Sequence, residues 1–306
     1  MNRFWGYLSA IMVAMLFGVW FSLDKMLLSY LHPLALAALI YLLASVFLFL
    51  IRVSPLHPHI LRIVHRESNV EIHISRRNYL TLFLTAVFGA VIAPALYLTG
   101  LNQITAVNAA LLTNVEILFI ILLGLFFLKE GVKAKDIVGF GFLLFGAIFL
   151  STNNLQNVSF DQSLVGSLLV VSACFFWSMD TTLTKFLSNQ RDIFFLTSLK
   201  CGIGGLILFL ISISMGLNFN LPLNMVPVLL FIGLGCMSFS IVLTFIAIRE
   251  IGSTRTGSIF STSSLFGAVV AFIVLGESLE ATQLLFGVLM FLGILILYKN
   301  GNKINR

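Results

Sequence analysis

Leu48-Phe49-Leu50-Ile51 recurs letter for letter as Leu208-Phe209-Leu210-Ile211, and the offset of 160 between the copies decides how the chain is read. The same offset lays Gly6 on Gly166, Leu23 on Leu183 and Lys25 on Lys185, and the register holds without a gap for more than forty residues. Downstream the offset becomes 147, placing Leu128 on Leu275, Glu130 on Glu277 and Gly146 on Gly293. The difference is absorbed mainly by a longer polar loop in the first copy, residues 54–78. Self-similarity at a fixed offset is the mark of a repeated structural unit. The expected units are residues 1–152 and 153–306.

Composition says what solvent the unit is built for. Of 306 residues, 59% are hydrophobic and 10% charged, with a mean hydropathy of +1.06. Average soluble domains carry about 25% charged residues. The balance excludes an ordinary cytosolic enzyme, a nucleic-acid binder and a disordered chain, and makes the lipid bilayer the partner. Helices are expected rather than barrel strands, because the apolar runs are continuous and helices satisfy their own backbone groups in lipid. Spans are expected near 5–27, 33–52, 79–100, 105–128, 134–151, 164–187, 193–215, 226–247, 255–276 and 281–299, an all-α membrane protein of ten helices. Five spans per unit is an odd number, so the second copy must run through the bilayer opposite to the first.

Charge sets the orientation. With the N-terminus inside, sixteen of the 18 Lys and Arg residues fall at cytoplasmic ends and loops, from Arg3 through the cluster Arg52, Arg62, Arg66, Arg76 and Arg77 to Lys299, Lys303 and Arg306. Only Lys25 falls near the outer face, while Lys200 lies within a span. This bias predicts that both termini are cytoplasmic. The loop 54–78 carries His57, His59, His65 and His73 without ligand-like spacing, so a solvated loop with a short membrane-surface helix is expected there. Cys174, Cys201 and Cys236 lie inside apolar runs and read as small core residues.

Particular residues then resemble a known family. Phe17-Gly18 with Lys25 has its counterpart in Trp177-Ser178 with Lys185. The run from Ala95 through Ala109-Ala110-Leu111-Leu112 and Asn114-Val115-Glu116 to Phe127-Leu128-Lys129-Glu130 resembles the fourth-span signature of EamA-type domains. Val274-Leu275-Gly276-Glu277, followed by Gly287 and Gly293, repeats its ending. Each half thus resembles one EamA domain of the drug/metabolite transporter superfamily, over nearly the whole chain. The resemblance implies ten helices, a central cavity and export or exchange of small metabolites, with amino-acid exporters among the relatives. Two departures stand out. Many members have a proline where Glu116 or its neighbour stands here, the second-copy counterpart being Ser263; and the second span's basic residue, Lys200, is Ile40 in the first copy.

Inverted repeats recur in secondary transporters, with the substrate between the halves near the midplane. Ionisable groups at that depth are functional candidates by default. Glu116 lies mid-span, and Asp180 and Lys200 are equally distant from the turn near Asn189-Gln190 that joins their helices. Those two are expected to pair or to face the cavity together, as a functional group or as a structural ion pair. Glu116 suits a proton-coupled cycle or a purely structural hydrogen bond. Trp20, Tyr41, Tyr97 and Trp177 are candidate cavity walls, or packing residues; Asn102, Asn108, Asn114 and Ser261 to Ser264, including Ser263, add polar groups. Gly202, Gly204 and Gly205 suit close helix contact, and Pro94 a kink. Glu130 and Glu277, equivalent in the repeat, are expected to terminate spans four and nine, capping the next helix. There is no P-loop, HExxH, GxSxG or filter-like motif, so neither an enzyme, a cofactor, a metal nor a channel is indicated. The expected protein is a plasma-membrane exporter of an amino-acid-like or drug-like metabolite working by alternating access; the alternative is a membrane-embedded channel or a lipid-modifying enzyme with no recognised motif.

Overall fold

A computed structural model describes residues 3–55, 76–128, 134–151, 162–187, 193–251 and 253–301. Most of the histidine loop, including His57, His59, His65 and His73, lies outside these residues, as does Glu130.

The described chain is helical. Helices α1 (Arg3–Leu27) and α2 (Pro33–Val53) are continuous. Helix α3 runs in three stretches, Arg76–Val87, a wide π turn at Phe88–Ile92, and Ala93–Gln103. Helix α4 is broken into Ala106–Leu112 and Val115–Leu128. Helices α5 (Ala134–Ser151), α6 (Gln162–Leu187) and α7 (Ile193–Ser214) follow. Helix α8 comprises Val226–Leu230, a π stretch Phe231–Phe239 and Ser240–Ile251. Helix α9 is broken into Ser253–Phe260 and Ser263–Val270 and closes on a π turn, Ala271–Leu275. Helix α10 is Ala281–Gly301. Among the described residues, seven helices are long and apolar enough to cross a membrane, and three shorter apolar helices lie within α5, α9 and α10. This is a multi-pass membrane protein.

The irregularities fall at matching places. The offset of 147 carries the π turn of α3 onto the second half of the π stretch in α8, and the break of α4 onto the break of α9 within one residue. In α3 the cause is visible: Pro94 has no N–H for the turn before it. In α8 no proline occupies the equivalent place, so the shared geometry is a property of the unit rather than of one residue.

Packing follows the same rule. Helix α2 packs on α7, α5 on α10, and α4 on α9; α1 packs on α8 and α9 as α6 packs on α3 and α4. Exchanging the halves maps this set of contacts onto itself. The four-residue motif shows it at residue level: Leu48 and Leu208 are buried, whereas Leu50 and Leu210 are 60% and 58% exposed on the outside of the bundle. That outer surface is apolar all round, with Ile137, Ile273 and Leu285 also exposed, the reverse of a water-soluble bundle. Close contacts are made by small residues: Gly204 lies against Ala90 of α3, and Gly202 and Gly205 against Ser45 and Leu42 of α2.

Candidate functional site

A cavity of about 340 Å³ lies between the halves. Its wall takes Phe17, Trp20 and Phe21 from α1, Tyr41 from α2, Gly89 from α3, and Trp177, Asp180 and Thr181 from α6. The α4 break contributes Thr113, Asn114 and Glu116, and the α9 break Ser261 and Ser263. A helix break leaves backbone groups and short polar side chains without their regular partners, which is why membrane helices are interrupted where they line a cavity rather than lipid. The two breaks are tied together by Asn114 Nδ2, which donates to Ser264 Oγ at 2.9 Å.

The charged part of the wall is asymmetric. Lys200 Nζ donates to Asp180 Oδ2 at 2.7 Å, and Thr184 Oγ1 donates to the other oxygen at 3.2 Å. The pair is only partly desolvated, with the two side chains 21% and 10% exposed. Glu116 faces the pair closely enough to interact electrostatically with both partners. Space for the Asp180 carboxylate exists because residue 89 is glycine; a Cβ there would overlap the carboxylate itself. The Gly89 carbonyl, inside the π turn, accepts a 3.0 Å hydrogen bond from Tyr41 Oη. Trp20 and Trp177 lie 6.3 Å apart between ring centroids. Tyr97 stands behind them, fully buried, with its ring 5.8 Å from Trp20 and 5.3 Å from Trp177. Glu116, Asp180, Lys200, Trp20, Tyr41, Trp177, Asn114 and Ser263 therefore meet in one cavity, and Tyr97 supports its wall.

At one end of the bundle two charged side chains tie helices together. Lys25 Nζ donates to the carbonyls of Leu101, Asn102 and Ile104 at 2.7, 3.2 and 2.8 Å, capping the C-terminus of α3. Glu277 accepts from the N–H groups of Ala106 and Val107 at 2.9 and 3.0 Å, capping the N-terminus of α4. This corrects the expectation that Glu277 caps the next helix. At the start of α10 that part is taken by Gln283, whose Oε1 accepts from the Glu280 N–H at 3.0 Å. The same Gln283 donates to Asn108 Oδ1 at 2.8 Å, joining α10 to α4. The clamp thus fastens α1 and α9 to the α3–α4 turn. On all four helices the cavity lies on one side of it: residues 17–21 against Lys25, Gly89 against 101–104, 113–120 against 106–107, and 260–263 against Glu277. At 1.5 Å per residue, Glu116 is about 15 Å along α4 from the clamp.

Sequence reasoning missed Asp24. It sits beside Lys25 near the end of an apolar run and reads as an interface residue, yet its side chain is fully buried. A signal was present: the offset of 160 sets it on Thr184, one helical turn beyond Asp180.

Comparison with known proteins agrees with this geometry. The EamA-like transporter family matches residues 4–152 and 164–299, one match per half. An uncharacterized transporter of Methanothermobacter thermautotrophicus is 44% identical over 302 residues, 98% of this chain and 88% of its own length. The uncharacterized transporter YyaM of Bacillus subtilis is 22% identical, over 91% of this chain and 88% of its own. A crystal structure at 12% identity shares the fold, with a TM-score of 0.68 over 98% of this chain and 99% of that one. The chain belongs to the EamA-like transporter family.

Proposed function

We propose that the protein is a secondary transporter that moves a small organic metabolite, amino-acid-like or drug-like, across the plasma membrane by alternating access. In this reading ten spans cross the bilayer, both termini are cytoplasmic, and the halves are inverted repeats. One observation carries the proposal: a cavity with charged and polar groups set in a largely apolar wall, at the crossing of two equivalent helix breaks, with a hydrogen-bonded clamp toward one end. With the basic loops inside, Lys25 and Glu277 lie at the outer end, and we read the conformation as one that faces the cytoplasm. Loading from that side suits an exporter.

The Asp180–Lys200 pair gives the cavity one fixed charge of each sign, while Trp20, Trp177 and Tyr41 give it aromatic surface. That combination suits a small substrate carrying both a polar or zwitterionic group and an apolar body. Glu116 is the group we assign to proton exchange with the cavity. With no nucleotide-binding loop in the sequence, the drive is a gradient or exchange rather than ATP.

The test begins with the purified protein and a metabolite panel read by thermal stabilisation. Compounds that stabilise it are then taken into counterflow in proteoliposomes. Saturable counterflow that disappears in Lys200→Met supports the carrier; linear, non-saturating flux, or no flux with any stabilising compound, overturns it.

A further inference from the structure

Asp24 presents a problem that the transport cavity does not solve. Its side chain is fully buried and neither carboxylate oxygen has a hydrogen-bond partner. Two more buried polar atoms without partners stand around it: Trp20 Nε1, one turn back on α1 and beside the carboxyl, and Tyr97 Oη from α3. Among the described residues, the titratable groups facing Asp24 from the other packed helices are Tyr97 from α3, Tyr41 from α2 and Cys236 from α8, none of them charged at neutral pH. Lys25, next in the chain, is turned away to three carbonyls of α3.

A buried carboxylate with neither counter-charge nor donors in bonding geometry is among the costliest groups a protein can hold. A carboxylic acid carries no charge and brings its own donor. A metal ion fits poorly, because the indole N–H is a donor only and the set offers few oxygens. The proton is the ligand that matches the site.

We propose that Asp24 is a proton-binding site, separate from the cavity, whose occupancy keeps the Lys25 clamp shut. With the proton bound, the Lys25 ammonium is held by the α3 carbonyls and by the charge of Glu277 nearby. When the O–H bond breaks and the proton leaves to water, the carboxylate competes for that ammonium within one turn of α1. The bonds to Leu101, Asn102 and Ile104 weaken and the clamped end is released. Trp20, which lines the cavity, shares this turn, so the site and the substrate space are mechanically joined.

The clamp part of the proposal rests on the carrier reading; the proton itself does not, and the experiment separates them. Infrared spectra of the reconstituted wild-type protein are recorded at neutral pH with and without ¹³C-labelled aspartate. A carboxylic-acid band that shifts with the label, persists in Glu116→Gln and vanishes in Asp24→Asn is expected. No label-sensitive band in the wild type overturns the proton site without requiring any variant to fold. In the second arm Cys174 and Cys236 are replaced by alanine, leaving Cys201 in the cavity wall as the target of a membrane-impermeant maleimide applied to the clamped side. Because thiolate itself increases with pH, labelling is read at each pH relative to Asp24→Asn: the parent's ratio rises several-fold from mildly acid to mildly alkaline pH, and that of Lys25→Gln is high throughout. A pH response in Asp24→Asn equal to that of its parent overturns the link to the clamp. If the band is found but no compound gives counterflow, the proton site stands and the carrier reading falls.

Discussion

Helix α1 and helix α6 are the same element of the repeat, yet each places its carboxylate differently. In α6 Asp180 faces Gly89 of α3, and the missing side chain lets the carboxylate reach the cavity and Lys200. In α1 the acid stands one turn later, at Asp24, and the α8 position equivalent to Gly89 is Cys236, whose buried side chain lies near that acid. Lys200 likewise has the fully apolar Ile40 as its counterpart. One backbone thus holds an ion pair open to a cavity in one half and a sealed, unpaired acid in the other. Duplication supplies geometry; single substitutions at the crossing points divide the chemistry.

The largest effect should come from removing the cation. Lys200→Met leaves Asp180 partly buried without its partner, costing about 3 kcal/mol at the lower end of the range for broken buried pairs, because the pair still meets the cavity. Adding Asp180→Asn makes the second half neutral, as Trp20 and Ile40 make the first. The double variant should regain most of that loss, since a pair replaced as a whole costs little. Unfolding of the three proteins in one detergent decides it; a double variant no better than the single would mean that the pair matters through packing.

Next comes Gly89→Ala. The added methyl overlaps the Asp180 carboxylate, and overpacking of this kind costs about 1–3 kcal/mol. It should also weaken binding of any ligand that stabilises the wild type. Unchanged stability would show that α3 can move off α6, and that the glycine does not set the difference between the halves.

Glu277→Ala removes both acceptors at the start of α4 and should cost about 1–2 kcal/mol, as for lost helix caps. The same change should raise labelling of Cys201 from the clamped side. A loss of stability without that rise would reduce Glu277 to a cap.

These predictions concern features of unequal visibility in the sequence. The helices themselves were legible, because an apolar run and its polar break are local properties; Pro33–Val53 and Ala134–Ser151 fall within a residue of expectation. The breaks in α4 and α9 were not. Thr113-Asn114 and Ser261-Thr262 contain neither glycine nor proline, and they open only where the two helices cross. The candidate acids and aromatics stood out by type, since a charge in an apolar run is conspicuous. What each one touches was not visible: Glu277 bonds a helix 170 residues away, and Asp24 is hidden by its neighbour Lys25. Partner choice is tertiary, and periodicity carries no record of it.

The smallest change in stability tests the largest functional claim. Glu116 lines the cavity in the first turn of the second stretch of α4, where its counterpart across the repeat is Ser263 at the same turn of α9. Ser263 cannot exchange a proton near neutral pH, so of the two equivalent positions only Glu116 can take one up. Glu116→Gln keeps the shape and the hydrogen-bonding capacity while fixing the group neutral. Stability should therefore move by no more than about 0.5 kcal/mol, as for substitutions that break no packing or buried pair. The pH profile of counterflow should flatten, because the variant can no longer lose a proton as pH rises. A variant that folds and transports with an unchanged rate and profile would remove Glu116 from the cycle and leave Asp24 as the proton-binding acid between the halves.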